Sequence, residues 1–352
     1  MPSKRISLVF MMLGLAILIG CGSTATHTAY VTLPSGNAVA AFRINNTTAQ
    51  FTSIVGSPYP SGNSPSSIVV DPPNHFVYVT NQLDNTISRF TIDPTIGSLK
   101  EVLPRTPTGL TPGSLAMDAS GTFLFALNQV SSSVSVYSIN STRGALTAVT
   151  GSPFATAANP IAMALAPSGK FLYVLDANLA LVFAYTVNAG VLQPVPGLPV
   201  QVGNGALAIT VDPAGNLVYV ANATDSTISV FSLNSTTGAL ALLGTFATGT
   251  RPTSLEVLGQ FLYVADLGAS NISVFSVAPT TGFLTQVTGS PFGTSGAPLF
   301  EVIDPNHLFI YTGSQTSMTI SAQSIDVTTG VLTTTSESAT TEFAPSSMAV
   351  TK

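Results

Sequence analysis

From Tyr30 onward, short apolar runs rich in Val, Ile, Leu, Tyr and Phe alternate with clusters of Gly, Pro, Asn, Ser and Thr. Runs this short and this often broken predict strands, because a helix needs apolar residues at three-to-four spacing sustained over several turns. One run recurs along the chain: Phe76-Val77-Tyr78-Val79, Leu124-Phe125-Ala126, Phe171-Leu172-Tyr173-Val174, Leu217-Val218-Tyr219-Val220, Phe261-Leu262-Tyr263-Val264 and Leu308-Phe309-Ile310, with an earlier copy at Tyr30-Val31. Aligned on Tyr30, Tyr78, Phe125, Tyr173, Tyr219, Tyr263 and Ile310, the copies are 48, 47, 48, 46, 44 and 47 residues apart. A period in the forties predicts a propeller, a solenoid or an array.

Each repeat holds four strand-sized pieces. In the copy after Gly56 these are Ser67 to Val70, His75 to Thr80, Thr86 to Ile92 and a strand opening at Leu99, with turns at Asp71-Pro72-Pro73-Asn74 and Asp93-Pro94-Thr95-Ile96-Gly97. Four antiparallel strands per repeat make one propeller blade. Tyr30 lies in a second strand with no first strand before it. The missing strand is at the other end, where Ala344-Pro345-Ser346-Ser347-Met348-Ala349-Val350 matches Ser64-Pro65-Ser66-Ser67-Ile68-Val69-Val70. Six whole repeats and this composite one predict an all-β, seven-bladed propeller over residues 30–352, its ring closed by the C-terminal strand joining the N-terminal blade. Closure removes sheet edges that otherwise recruit other chains, and the ring is expected to be a monomer.

The N-terminus differs. Lys4 and Arg5 precede an apolar stretch from Ile6 to Gly20, too short to span a bilayer comfortably, so residues 1–20 read as a signal peptide. The stretch ends in Leu18-Ile19-Gly20-Cys21, which resembles a bacterial lipobox. That resemblance implies a lipidated Cys21, a tether over residues 21–29 that includes His27, and a membrane partner held through the lipid. The expected location is the outer membrane or cell surface, since Gly22 is not the aspartate tied to inner-membrane retention. Cys21 is the single cysteine, so no internal disulfide forms. Charged residues are only 7% of the chain, the net charge is −5, and no basic run follows Lys4-Arg5, which argues against a nucleic-acid partner. Three scattered histidines and one cysteine make no zinc cluster, and no cofactor motif is present.

Tyr78-Val79-Thr80-Asn81 with Asp84-Asn85-Thr86-Ile87-Ser88-Arg89-Phe90, repeated as Tyr219-Val220-Ala221-Asn222 with Asp225-Ser226-Thr227-Ile228-Ser229-Val230-Phe231, resembles the YVTN repeat family. It is also similar to the lactonase-type seven-bladed propellers, which include 6-phosphogluconolactonase-like and muconate-cycloisomerase-like enzymes. Such relatives often carry Pro-Arg-His where the chain begins the innermost strand. Here the equivalents are Pro65-Ser66-Ser67, Pro112-Gly113-Ser114, Pro160-Ile161-Ala162, Pro252-Thr253-Ser254, Pro298-Leu299-Phe300 and Pro345-Ser346-Ser347, without Arg or His. A phosphorylated sugar calls for several cations, ideally forked arginines, and after Cys21 the chain has five arginines and three lysines in all. A phosphosugar substrate is therefore not expected.

Two positions on the innermost strands break an apolar pattern. Counting four residues on from the proline gives Val69, Ala116, Ala164, Glu256, Val302 and Ala349, with Thr210 in the blade lacking the proline. Counting three gives Ile68, Leu115, Met163, Ile209, Leu255, Glu301 and Met348. Arg251 stands just before Pro252. If the innermost strands line the channel, Arg251 belongs at its mouth with Glu256 and Glu301 nearby. A carboxylate can activate water and an arginine can hold a carbonyl or carboxylate. The plainer account is a wet channel wall with an ordinary ion pair. Asp71, Asp118, Asp212 and Asp304 recur before turns, where a short carboxylate bonds backbone amides. His75 and His307 are expected in exposed turns at the same repeat position. The function expected from these features is an envelope lipoprotein whose propeller face binds a protein or polymer. The alternative is a lactonase acting on a small ring ester through Glu256, Glu301 and Arg251.

Overall fold

The computed structural model describes residues 26–156 and 159–352. Cys21 and the leader before Thr26 lie outside the described residues. Seven antiparallel sheets follow one another in sequence. Blades 2, 3, 4, 6 and 7 open with the innermost strands Pro65–Val70, Pro112–Met117, Pro160–Leu165, Pro252–Leu258 and Pro298–Ile303, and blade 5 opens with Ala206–Val211. Ser347–Val350 supplies the innermost strand of blade 1. It pairs with Thr26–Leu33 in the register Tyr30 to Ala349 and Thr32 to Ser347. The sheet order places it at the inner edge of that blade, as the sequence match predicted. Neighbouring innermost strands contact one another around the ring.

The expected boundaries shift in two places. Thr26–Leu33 is already strand, so His27 is no tether residue: it is buried, and its Nε2 lies 2.8 Å from the Asn306 amide nitrogen. In blade 7 the repeat alignment slips by one residue. Val302 pairs with Tyr311, as Val69 pairs with Tyr78, so Tyr311 and not Ile310 is the equivalent aromatic. For the same reason His307 (φ 62°) matches Asn74 (φ 59°), and Leu308 matches His75. Both His75 and His307 are exposed in turns, as expected.

The repeated residues have identifiable work. Tyr30, Tyr78 and Tyr173 donate from their hydroxyls to the carbonyls of Gly97, Gly144 and Gly238, at 2.8, 2.8 and 3.0 Å, each reaching the outer hairpin of the next blade. Those glycines sit at positive φ (74°, 63° and 75°), which a residue without Cβ adopts at little cost. Asp71 accepts from the His75 and Phe76 amides at 2.7 Å each, and Asp212 and Asp304 do the same for their turns. Asn140 and Asn234 likewise accept from amides two and three residues on.

The core lies in the seams between blades. Each seam packs the second strand of one blade against the innermost and second strands of the next, as with Phe125 and Leu127 against Met163, Leu172 and Val174. Burial of side chains this size contributes roughly 1.5–3 kcal/mol each. The ring therefore has two rims. On the proline rim the chain comes into the innermost strands, and on the aspartate rim it leaves them.

Candidate functional site

Along each innermost strand, successive side chains turn toward opposite neighbours. Ile68, Leu115, Met163, Ile209, Leu255 and Met348 are buried against the preceding blade. The next residues, Val69, Ala116, Ala164, Val302 and Ala349, pack on the following seam and stay half-buried at the channel. Every seam thus brings two of these side chains together from its two sides, such as Val69 with Leu115 and Ala116 with Met163. Thr210 meets Leu255 between blades 5 and 6.

Between blades 6 and 7 the two positions are Glu256 and Glu301. Glu301 is 2% exposed, and neither of its carboxylate oxygens has a hydrogen-bond partner. Burial first, and then the negative charges of Glu256 and Asp266, hold its carboxyl well above the usual range. The backbone amides of Ala265 and Glu256 offset part of this without reaching hydrogen-bonding geometry. Glu256 is half-buried on the channel wall, and its carboxyl is pushed up to about 7 by the surrounding protein. Directly across the strand pair, Tyr263 faces Glu256 in register. Unlike Tyr30, Tyr78 and Tyr173, its buried hydroxyl has no partner. The Ser254 hydroxyl accepts from the Glu301 amide at 3.4 Å, tying the two innermost strands together.

Asp266 extends the acidic region. It ends the second strand of blade 6, a position held by Asn81, Asn128 and Asn222 in blades 2, 3 and 5 and by Asp176 in blade 4. Those amides donate to paired hydroxyls, for example from Asn222 to Thr227 and Ser229 at 3.0 Å each. Asp266 is fully buried and accepts from the Thr248 hydroxyl at 3.2 Å. Burial raises its carboxyl to about 6, against the pull of bonds from Ser273 and Thr248. The sequence analysis did not single out Asp266, whose column also holds Asp176 in blade 4.

Blade 7 adapts around Glu301 in one further way. Phe300 stands where Ser67, Ser114 and Ser254 occupy other blades, and it pairs in register with Gly313. A Cβ at Gly313 would collide with the Phe300 ring, so the large and the small residue require each other.

The sequence-predicted trio is only partly assembled. Glu256 and Glu301 meet, but across a seam, with Glu301 shut inside it and not on the open channel wall. Arg251 does not join them. It is exposed at the proline rim, and its carbonyl accepts from the Leu267 amide at 3.1 Å, as Ser64 and Thr111 accept from Gln82 and Gln129. Its φ of 55° repeats that of Ser64 and Thr111, so the position serves a turn. Among the described residues ion pairs are made by Arg105 alone, with Asp84 and Glu101. Also among the described residues, no group of three or more His, Cys, Asp or Glu is placed to hold a metal ion. Chemically, the seam offers a carboxylic acid beside a carboxyl that titrates near neutrality. Two like groups sharing one site are pushed apart in pKa, which is how paired carboxyls divide acid and base roles.

The comparisons agree with this architecture. Among curated proteins, none matches the chain. Among solved structures, a Bacteroides fragilis protein with a provisional 6-phosphogluconolactonase name superposes with a TM-score of 0.81 at 20% identity, over 94% of this chain and 99% of that one. The periplasmic gluconolactonase of Pseudomonas aeruginosa gives 0.80 at 18% identity, over 93% and 99%. A Lactobacillus plantarum protein gives 0.80 at 19%, over 93% and 100%. At these identities the likeness is one of fold. A family model described as lactonase, seven-bladed β-propeller, matches residues 23–163 and 155–349. The chain belongs to that lactonase propeller family.

Proposed function

We propose that this protein is an envelope lipoprotein, anchored through Cys21, whose propeller hydrolyses small cyclic esters without a phosphate group. The observation that carries the reading is the Glu256–Glu301 pair, a facing pair of carboxyls in a ring of otherwise apolar or hydroxyl-bearing seams. Glu256, open to the channel, takes a proton from water as that water attacks the ring carbonyl. The ester C–O bond then breaks, and the leaving alkoxide takes that proton from Glu256, giving a hydroxy acid and restoring the base. Protonated Glu301 keeps a second negative charge away from Glu256. Thr210, the next channel residue beside Glu256, offers a hydroxyl to the developing oxyanion. The absence of Arg and His from the strand openings argues against a phosphorylated substrate.

The test is a panel of sugar and muconic lactones offered to the purified protein. Turnover is expected to rise with pH through about 7, as Glu256 ionises. Glu256→Gln is expected to lose ~10²-fold or more, the usual range for removing a general base. A parent protein without turnover on the panel overturns the reading. It would leave a ligand-binding module, which the exposed and unpaired Arg251 favours.

A further inference from the structure

The chain joins its first strand on the aspartate rim. Innermost strands run from the proline rim to the aspartate rim, and Thr26–Leu33 lies antiparallel to Ser347–Val350, so Thr26 starts where Val350 ends. Three contacts fix that corner. The Thr28 amide donates to Thr351 Oγ1 at 2.8 Å, the Asn74 side chain donates to the Lys352 carbonyl at 3.0 Å, and His27 meets Asn306 in the Asp304 turn of blade 7.

Cys21 stands five residues before Thr26. Even fully extended, five residues span no more than roughly 18 Å. A lipid on Cys21 therefore holds the aspartate rim at the bilayer, closest at blade 1 and its neighbours, blades 7 and 2.

Both neighbours carry exposed apolar departures from the repeat on this rim, as blade 6 does at Phe283, which packs on Phe246. Leu308 is 45% exposed at a turn position that holds His75, Thr122, Lys170 and Asn216 in other blades. Val327 is 54% exposed where the other third-to-fourth-strand turns have Pro94, Ser141 and Ser235. Ile96 is 45% exposed where they have Arg143, Thr237 and Thr281. Leu308 and Val327 belong to blade 7 and Ile96 to blade 2, on either side of the strand that carries the leader. Asp71, Asp93, Asp304 and Asp326 on this rim turn carboxylate oxygens onto their own turn amides.

We propose that the aspartate rim around blade 1 is a membrane-docking surface, in which Leu308, Val327 and Ile96 enter the lipid interface beside the acylated Cys21. The proline rim then points away from the bilayer, and the channel fills from that side. Apolar side chains at interfacial depth add to an acyl anchor in proportion to the area they bury. The inference rests on the lipid-anchor part of the proposed function.

The natural chain has no tryptophan, so single tryptophans report cleanly. Leu308→Trp and Val327→Trp sample the aspartate rim. Leu83→Trp and Val130→Trp sample the proline rim, at residues 75% and 66% exposed. Each full-length variant is isolated with its lipid, checked by mass for acyl groups on Cys21, and reconstituted into phosphatidylethanolamine–phosphatidylglycerol vesicles containing doxyl-labelled lipid. The expected result is loss of fluorescence with a blue shift at 308 and 327, and none at 83 or 130. Acylated protein with equal quenching on both rims, or quenching on neither, overturns the docking surface while leaving the anchor intact. An unmodified Cys21 removes the anchor and the docking surface together.

Discussion

The seam between blades 2 and 3 and the seam between blades 6 and 7 have the same backbone and opposite chemistry. In the first, Leu115 plugs a pocket formed with Tyr78, Ile87, Leu124 and Ala126. In the second, Glu301 holds the equivalent place among Phe261, Tyr263, Ile272, Val274 and Ile310. The apolar plug contributes its transfer free energy. The carboxyl forgoes that gain, leaves two oxygens without partners, and faces a second carboxyl across the seam. A fold with six other seams tolerates one costly seam, and such a departure from a local rule marks a functional position. Beside it, the Tyr263 hydroxyl is buried without a partner, whereas those of Tyr30, Tyr78 and Tyr173 reach carbonyls.

Removing a seam outright sets the upper end of the scale. Deleting residues 344–352 takes away the strand paired with Thr26–Leu33, bares that edge, and opens the ring. The truncated protein is expected to aggregate or lose cooperative unfolding, measured by chromatography and a denaturant melt. An unchanged, monomeric melt would contradict the closure. Next in size is Leu115→Ala, expected to cost ~2–5 kcal/mol as a large-to-small core change. Glu301→Leu is expected to act in the other direction. Replacing buried ionic groups with well-packed apolar ones of similar volume is often neutral or stabilising, by up to about 4 kcal/mol. If it destabilises as Leu115→Ala does, the two seams are not the opposites described.

The pH dependence sharpens the contrast. Glu301 and Glu256 have raised folded values against an ordinary 4.5, and Asp266 against 3.8. Below those ordinary values both folded and unfolded chains are protonated, and no difference arises. Above them the unfolded chain ionises first, so stability falls as pH rises. Each group contributes a slope of at most ~1.4 kcal/mol per pH unit. The window opens near 4 and extends past about 7, where Glu256 ionises in the folded protein. Urea melts from pH 4 to 8 are expected to show this decline, lessened in Glu301→Gln and retained in Leu115→Ala. A flat profile in the parent would refute the raised carboxyls. The smallest effect is expected from Arg251→Ala, within about 0.5 kcal/mol in stability, as for exposed residues outside special features, and without loss of turnover. A turnover loss matching that of Glu256→Gln would restore Arg251 to the site.

Much of this was legible in order along the chain. The strand period, the blade count, the composite blade and the two glutamates that break apolar columns all follow from local pattern. Strand alternation and turn chemistry act over a few residues and repeat seven times. The slip to Tyr311 and Leu308 in blade 7 went unseen because a one-residue offset changes little in composition and every side chain's direction. Three outcomes belonged to tertiary structure alone. Which glutamate is shut in the seam and which opens to the channel depends on how adjacent blades face each other. Asp266 gains its raised carboxyl from burial under the Thr248 turn. Arg251 sits near Glu256 in sequence, yet the turn that sets its φ leaves it exposed at the rim, apart from the seam. Charge in a sequence says only that a group can ionise, whereas the blades packed around it set the dielectric and the partners, and so decide whether it does.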